Sequence, residues 1–137
     1  ALAIAQADEI QKLDCLHVYE VPSGYSRTGK SYDDFAAIME RNARKECEKF
    51  FDRIDTRGIE INHIFELNSR PSKSISEIAE ERDSDLLVVG ARGRSVGAAI
   101  FMGSVTERLP RLTERPVLAV KKKGECLGLF DALIDVL

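Results

Sequence analysis

The sequence predicts an α/β domain built on an open parallel sheet with helices on both faces. The first observation is that short apolar strands alternate with amphipathic helical segments along most of the chain. The second is the run DLLVVG over residues 85–90, which is continuously apolar, as central parallel strands covered on both faces are. The length of 137 residues suits a single domain.

Eight elements are predicted from these patterns. In chain order they are a helix over residues 1–11, a strand over 15–21, a long helix over about 33–54, a strand over 59–65, a short helix from about 72, a strand over 85–90, a helix over 104–112 and a strand over 116–120. Pro22 ends the first predicted strand. Asp33 or Asp34 is expected to cap the long helix, whose apolar residues recur every three or four positions, and Ser72 or Ser74 the short one.

Composition excludes several classes of partner. The net charge of −3 argues against a surface for nucleic acid or anionic membrane, which would show a clustered basic excess. No apolar run approaches the roughly 20 residues that span a bilayer, and no signal peptide is visible. Cys15, Cys47 and Cys126 form no CxxC pair, so they are interpreted as reduced thiols of a cytoplasmic protein rather than zinc ligands.

The glycine-rich segment over residues 90–104 is the main candidate site. It reads GARGRSVGAAIFMGS and follows the clearest strand, where open α/β sheets bind ligands. Glycines allow close backbone approach and positive φ, and Ser104 opens a helix whose N–H groups favour an anion. Arg92 and Arg94 add positive charge. These features favour a phosphate site, although the same sequence would also fit a tight turn and an N-cap with no ligand bound.

The spacing of this segment resembles the ATP-binding branch of the universal stress protein family. Gly90, two residues, Gly93, nine residues, Gly103 and Ser104 match its pattern G-2x-G-9x-G-[S/T]. The flanking DLLVVGARGRS and RPVLAVK, and the earlier CLHVYE, are similar to strands of that family. The resemblance covers about residues 1–121.

The resemblance implies roles for particular residues. The ribose and triphosphate of ATP, with or without Mg²⁺, would be surrounded by Gly90, Gly93, Gly103, Ser104 and Val105, beside Arg92. Val18 would contact the adenine. The last strand is similar to the edge strand that pairs across a homodimer, and it comprises Val117, Leu118, Ala119 and Val120.

The resemblance also implies the strand order 3-2-1-4-5, with its first strand apparently missing from the chain. The family normally begins with a strand whose Asp helps to hold the nucleotide, whereas this sequence starts in the following helix. We therefore expect an N-terminally incomplete domain over residues 1–123, followed by an amphipathic tail over 124–137.

A rival phosphate motif lies at residues 24–31, GYSRTGKS, which fits the P-loop pattern G-x-x-x-x-G-K-[S/T]. A P-loop enzyme also needs a metal-holding Asp at the end of another strand, and Asp85 stands at the wrong end of its strand. His17 is interpreted as a core or rim residue and His63 as exposed. No catalytic residue can be assigned.

These observations predict an ATP-binding regulatory or stress-response module that is dimeric. Slow or no hydrolysis is expected, because no general base is evident in the sequence. The first alternative is a nucleotide-free module that works through its dimer edge and its apolar tail. The second is a P-loop ATPase or kinase.

Overall fold

The computed structural model describes residues 1–91 and 103–120. The chain divides into two compact units, Ala1–Ser74 and Ile75–Leu137, which are described one at a time. None of the helices in the described ranges is long and apolar enough to cross a bilayer.

Helices and strands alternate through the described residues. The elements are α1 Leu2–Ala7, β1 Lys12–Tyr19, α2 Tyr32–Phe51, β2 Glu60–Leu67, α3 Pro71–Glu81, β3 Leu87–Gly90, α4 Ser104–Arg108 and β4 Val117–Val120, with 3₁₀ turns at Tyr25–Thr28 and Leu109–Arg111. Every predicted element is present, with boundaries shifted by a few residues.

The first unit is a β-α-β arrangement. Strands β1 and β2 pair in parallel, in a register that runs from Lys12 opposite Glu60 to Tyr19 opposite Leu67. Parallel neighbours require a long crossover, and α2 supplies it and contacts both strands. Ala43 on α2 is buried, where its small side chain permits close approach of helix and sheet.

The N-terminus of α2 corrects the expected cap. Ser31, rather than Asp33 or Asp34, is the N-cap. The backbone N–H of Asp34 donates to Ser31 Oγ over 3.1 Å, and that hydroxyl donates to Asp34 Oδ2 over 2.7 Å. This is a capping-box arrangement with Asp in the third helical position. Asp33 and Asp34 lie in the first turn, where carboxylates interact favourably with the helix dipole.

Helix α3 also begins earlier than expected. Its first residue is Pro71, which lacks an N–H and suits the first helical position. The amides of Lys73 and Ser74 both donate to the carbonyl oxygen of Arg70 over 3.1 Å. Ser72 and Ser74 are therefore buried helix residues rather than caps, and the prediction that either one caps the helix was wrong.

The second unit holds the other strand pair. Strands β3 and β4 run parallel, with Leu87 opposite Val117 and Gly90 opposite Val120. The chain between them includes α4 and the 3₁₀ turn that follows it. Leu109 in this turn has no exposed surface and is the main apolar anchor of the unit.

These features confirm the predicted fold class, an α/β domain with parallel strands. The two pairs, β1–β2 and β3–β4, are those that the order 3-2-1-4-5 keeps when its first strand is left out. The complete strand order stays a prediction, as does the division into residues 1–123 and 124–137. The whole of the predicted tail, residues 124–137, lies outside the described residues.

Candidate functional site

The candidate site is organised where β3 ends and α4 begins. After Gly90, the amide of Ala91 donates to the carbonyl oxygen of Val120 over 2.8 Å. The carbonyl oxygen of Ala91 in turn accepts from the amide of Gly103 over 2.8 Å. The two residues that flank residues 92–102 are thus joined directly, and both are fixed to the end of the β3–β4 pair.

A side chain reinforces this junction. Thr106 Oγ1 donates to the carbonyl oxygen of Gly90 over 2.8 Å, and Thr106 is only 3% exposed. The first turn of α4 is therefore tied to the last residue of β3. Sequence reasoning missed Thr106. The only available signal was a hydroxyl residue three positions after Gly103, on the turn that follows the glycine segment.

The described glycines of the segment have ordinary backbone angles. Gly103 is the N-cap of α4, with φ −59° and ψ 148°, values that any residue can adopt. Gly90 is not among the positive-φ residues either. The expectation that glycine is needed for positive φ therefore fails at both positions. The remaining physical reason for glycine there is close approach to the backbone, either by a ligand or by other atoms of the protein.

The start of α4 presents donor groups. The first amides of a helix have no acceptor within the helix, and Ser104, in the first helical position, is exposed. Val105 is half-buried beside it. The predicted helix over 104–112 is an α-helix as far as Arg108 and a 3₁₀ turn from Leu109 to Arg111. Its short length makes the local N–H groups, rather than a long helix dipole, the basis of any anion binding.

The remaining predicted site residues are Arg92, Gly93 and Val18. Arg92 and Gly93 lie outside the described residues. Val18 is a half-buried residue of β1 in the first unit, in register with Glu66 of β2. Its contact with adenine stays a prediction.

The rival motif over residues 24–31 adopts a geometry unlike a phosphate cradle. A 3₁₀ turn covers Tyr25–Thr28, and Gly29 takes the left-handed conformation with φ 71°. The hydroxyl that would meet a metal or phosphate, that of Ser31, is bound to Asp34. A carboxylate therefore already occupies the helix start where a P-loop would place phosphate.

Metal ligands do not converge in the described part of the chain. Within residues 1–91 and 103–120, no group of three or more His, Cys, Asp or Glu side chains is arranged to hold a metal ion.

Parallel strands, with a glycine-rich sequence between the end of one strand and the start of a helix, define an α/β domain of the doubly wound type, in which ligands bind at such junctions. The model of the Universal stress protein family matches residues 1–121, and the chain belongs to that family.

Curated relatives support this membership. The chain is 26% identical over 127 residues to Universal stress protein MJ0577 of Methanocaldococcus jannaschii, covering 90% of this chain and 76% of the relative. It is 30% identical over 128 residues to Universal stress protein YxiE of Bacillus subtilis, covering 87% and 86%.

Solved structures share the fold. The structure of the hypothetical protein MJ0577 superimposes with a TM-score of 0.70 at 22% identity, covering 90% of this chain and 88% of the other. A universal stress protein solved in complex with cAMP gives a TM-score of 0.52 at 24% identity, covering 88% and 80%.

Proposed function

We propose that this protein is an ATP-binding regulatory domain whose nucleotide phosphates bind at the junction of β3 and α4. The observation that carries the proposal is the hydrogen bond between the amide of Gly103 and the carbonyl oxygen of Ala91. It sets the start of α4 against the end of β3, so that the amides of Ser104 and Val105 can act together on one anion.

Three further features support a nucleotide at this position. Gly103 has no conformational need to be glycine, which is expected if a phosphate approaches its backbone. The exposed hydroxyl of Ser104 can donate to a phosphate oxygen. A protein of the same fold was solved with cAMP, so an adenine nucleotide is a ligand that this fold can hold.

The remaining parts of the proposal concern the outcome of binding. Arg92 and Gly93 would complete the phosphate contacts and Val18 would contact the adenine, as the family resemblance implies. Hydrolysis would be slow or absent, since none of the junction residues that the structure describes is placed as a general base. The cytoplasmic location expected from the three cysteines belongs to the proposal as well.

Dimerisation through β4 is the second component. Leu118 and Val120 are 40% and 48% exposed, and β3 is the only described strand that pairs with β4. An apolar strand edge of this kind is a natural surface for pairing with a second copy. The same edge favours the alternative function, a nucleotide-free interaction module.

Calorimetric titration with ATP, in the presence and absence of Mg²⁺, tests the site. Gly103→Val should abolish micromolar binding, because the added side chain blocks phosphate approach while the backbone angles suit valine. Gly24→Val is the matched control. That glycine has φ −85°, and a Cβ there would meet no atom within 4 Å.

The possible outcomes separate the candidate functions. Loss of binding in Gly103→Val alone supports the proposal. Loss in Lys30→Ala or Gly24→Val alone would transfer the site to residues 24–31. No binding by the unmodified protein would leave the interaction module, whose association should then be lost when residues 125–137 are removed.

A further inference from the structure

A thiol pair lies on the face of the β1–β2 sheet that α2 covers, away from the glycine segment in sequence. Cys15 of β1 and His63 of β2 are register partners. Partners in neighbouring parallel strands lie about 5 Å apart and project from the same face of the sheet. Cys47 of α2 reaches this point from the helix, with its Sγ 3.2 Å from His63 Nδ1.

The two thiols also interact with each other. The pKa of each thiol responds to the other thiol, which indicates that the two side chains are neighbours beside His63. Both cysteines are free and partly exposed. Phe51 packs edge-on against His63, with ring centroids 4.9 Å apart, and this contact orients the imidazole toward Cys47.

We propose that Cys15 and Cys47 form an oxidisable dithiol site that reacts with hydroperoxides, with His63 as the proton acceptor for Cys47. Nothing in the nucleotide proposal uses these residues, and the two proposals stand independently. The substrate class follows from the chemistry, because a small hydroperoxide is a two-electron oxidant that needs only a thiolate to react.

The reaction proceeds in two balanced steps. His63 Nδ1 takes the proton of Cys47, whose thiolate attacks one oxygen of the O–O bond. That bond breaks, Cys47 becomes a sulfenic acid, and the other oxygen takes the proton held by His63 and leaves as an alcohol, or as water when the oxidant is hydrogen peroxide. Cys15 then attacks the sulfenic sulfur, an S–S bond forms, and the hydroxyl leaves with the thiol proton as water. Two thiols are oxidised and one peroxide is reduced.

The surroundings explain why a base is needed. Burial raises the pKa of both thiols. Cys47 raises the pKa of Cys15 further, whereas for Cys47 the interaction with Cys15 lowers the pKa and Glu48 raises it. Few thiolates would therefore form unaided at neutral pH. The groups around Cys47 are Glu48 of α2, Cys15 of β1 and His63 of β2, and the nitrogen in contact with Cys47 Sγ is His63 Nδ1, at 3.2 Å.

The test exposes the reduced full-length chain to hydrogen peroxide, alkylates the remaining thiols, and maps tryptic peptides by mass spectrometry. Cleavage after Lys12, Lys45 and Lys123 places the three cysteines in separate peptides. We expect a mass loss of two hydrogens, one peptide pair joining Cys15 to Cys47, and reversal by dithiothreitol. This readout uses the unmodified protein, so it does not depend on any variant folding.

Variants then assign the roles. Cys126→Ser should leave the cross-link intact, whereas Cys15→Ser should stop the reaction at a sulfenic adduct on Cys47. His63→Gln should slow cross-linking about tenfold at neutral pH, within what a positioned base can supply, and the rate should recover at alkaline pH.

Three results would overturn the assignment. The first is consumption of Cys126 while Cys15 and Cys47 remain alkylatable. The second is gain of oxygen without a cross-link. An unchanged rate in His63→Gln at neutral pH would remove His63 from the reaction.

Discussion

The hydroxyl of Thr106 donates a 2.8 Å hydrogen bond to the carbonyl oxygen of Gly90, joining the first turn of α4 to the last residue of β3. The bond lies at the base of the glycine segment and is part-buried, since Thr106 is buried whereas Gly90 is exposed. Its removal should affect both the stability of the second unit and the geometry of the proposed phosphate site.

Thr106→Val keeps the side-chain shape and removes the donor. Leaving the Gly90 carbonyl without this partner should lower the free energy of unfolding by about 1–3 kcal/mol, measured by urea denaturation, and should weaken ATP binding in calorimetry. Thr28→Val is the control, because it removes a hydroxyl-to-carbonyl bond of 2.7 Å at an exposed turn. Equal losses of affinity in the two variants would contradict the role of Thr106.

Ser31→Ala removes the cap of α2. The amide of Asp34 loses its acceptor, and the free energy of unfolding should fall by about 1 kcal/mol. ATP affinity should be unchanged, because Ser31 is committed to the helix and not to phosphate. Exposed Ser23→Ala serves as the control for stability. A loss of ATP binding in Ser31→Ala would revive the P-loop hypothesis.

Leu109→Ala should strongly destabilise the protein. Leu109 has no exposed surface, so truncation removes buried methyl groups and leaves a cavity, at a cost of about 2–5 kcal/mol. Thermal and urea unfolding would measure it. Leu112→Ala, at a position that is 50% exposed, should change stability by less than about 0.5 kcal/mol. Similar costs at both positions would refute the assignment of Leu109 as the anchor.

Leu118→Asp tests the β4 edge. A charge on this exposed apolar strand should oppose pairing with a second copy, and light scattering after gel filtration should show a monomer. Leu112→Asp introduces the same charge at a similarly exposed leucine outside the strand and should leave the dimer intact. A monomeric unmodified protein, or a dimer that survives Leu118→Asp, would exclude this interface.

Burial, and to a lesser extent Cys47, raises the pKa of the Cys15 thiol. This shift makes the free energy of unfolding dependent on pH. A folded-state pKa above the unfolded value means that the folded state holds the proton more tightly. The contribution is complete below the ordinary thiol pKa of about 8.5 and is lost as pH rises through the folded value. Under reducing conditions, the unfolding free energy of the unmodified protein relative to Cys15→Ser should therefore fall as the pH is raised from about 7.5 into the alkaline range.

That comparison also controls for a second group. Tyr19 has a pKa raised by burial and by Glu40, and it titrates in both proteins, so its effect cancels in the difference. A difference in unfolding free energy that stays constant across the range would show that the Cys15 thiol ionises alike in the folded and unfolded chains.

The sequence was sufficient for the elements that depend on local pattern. The apolar runs that end at Tyr19 and Gly90 identify strands without any tertiary information, and alternation with helices identifies parallel pairing. The helix caps also depend on local sequence. Ser31 and Asp34 have capping-box spacing, but the paired aspartates drew the prediction two residues too far along the chain.

Contacts between distant residues could not be predicted. The bond from Thr106 to Gly90 spans sixteen positions, and it depends on where α4 begins relative to β3. The contact between Cys47 and His63 depends on the register of β1 with β2. A shift of β2 by one residue against β1 would turn His63 to the other face of the sheet. Hydrophobic periodicity carries no information on either relationship.

Because of the hydrogen bond between Ala91 and Gly103, sequence changes between these two residues should differ in their effect from changes in the rest of the domain. The two ends of the intervening segment already meet, so lengthening it adds little closure entropy, about 0.6 kcal/mol for a doubling. Under the proposed function, insertions, deletions and substitutions between these residues would thus alter ligand preference while the strand pair and Leu109 keep the scaffold folded. Ligand specificity and folding stability would then vary separately in this domain.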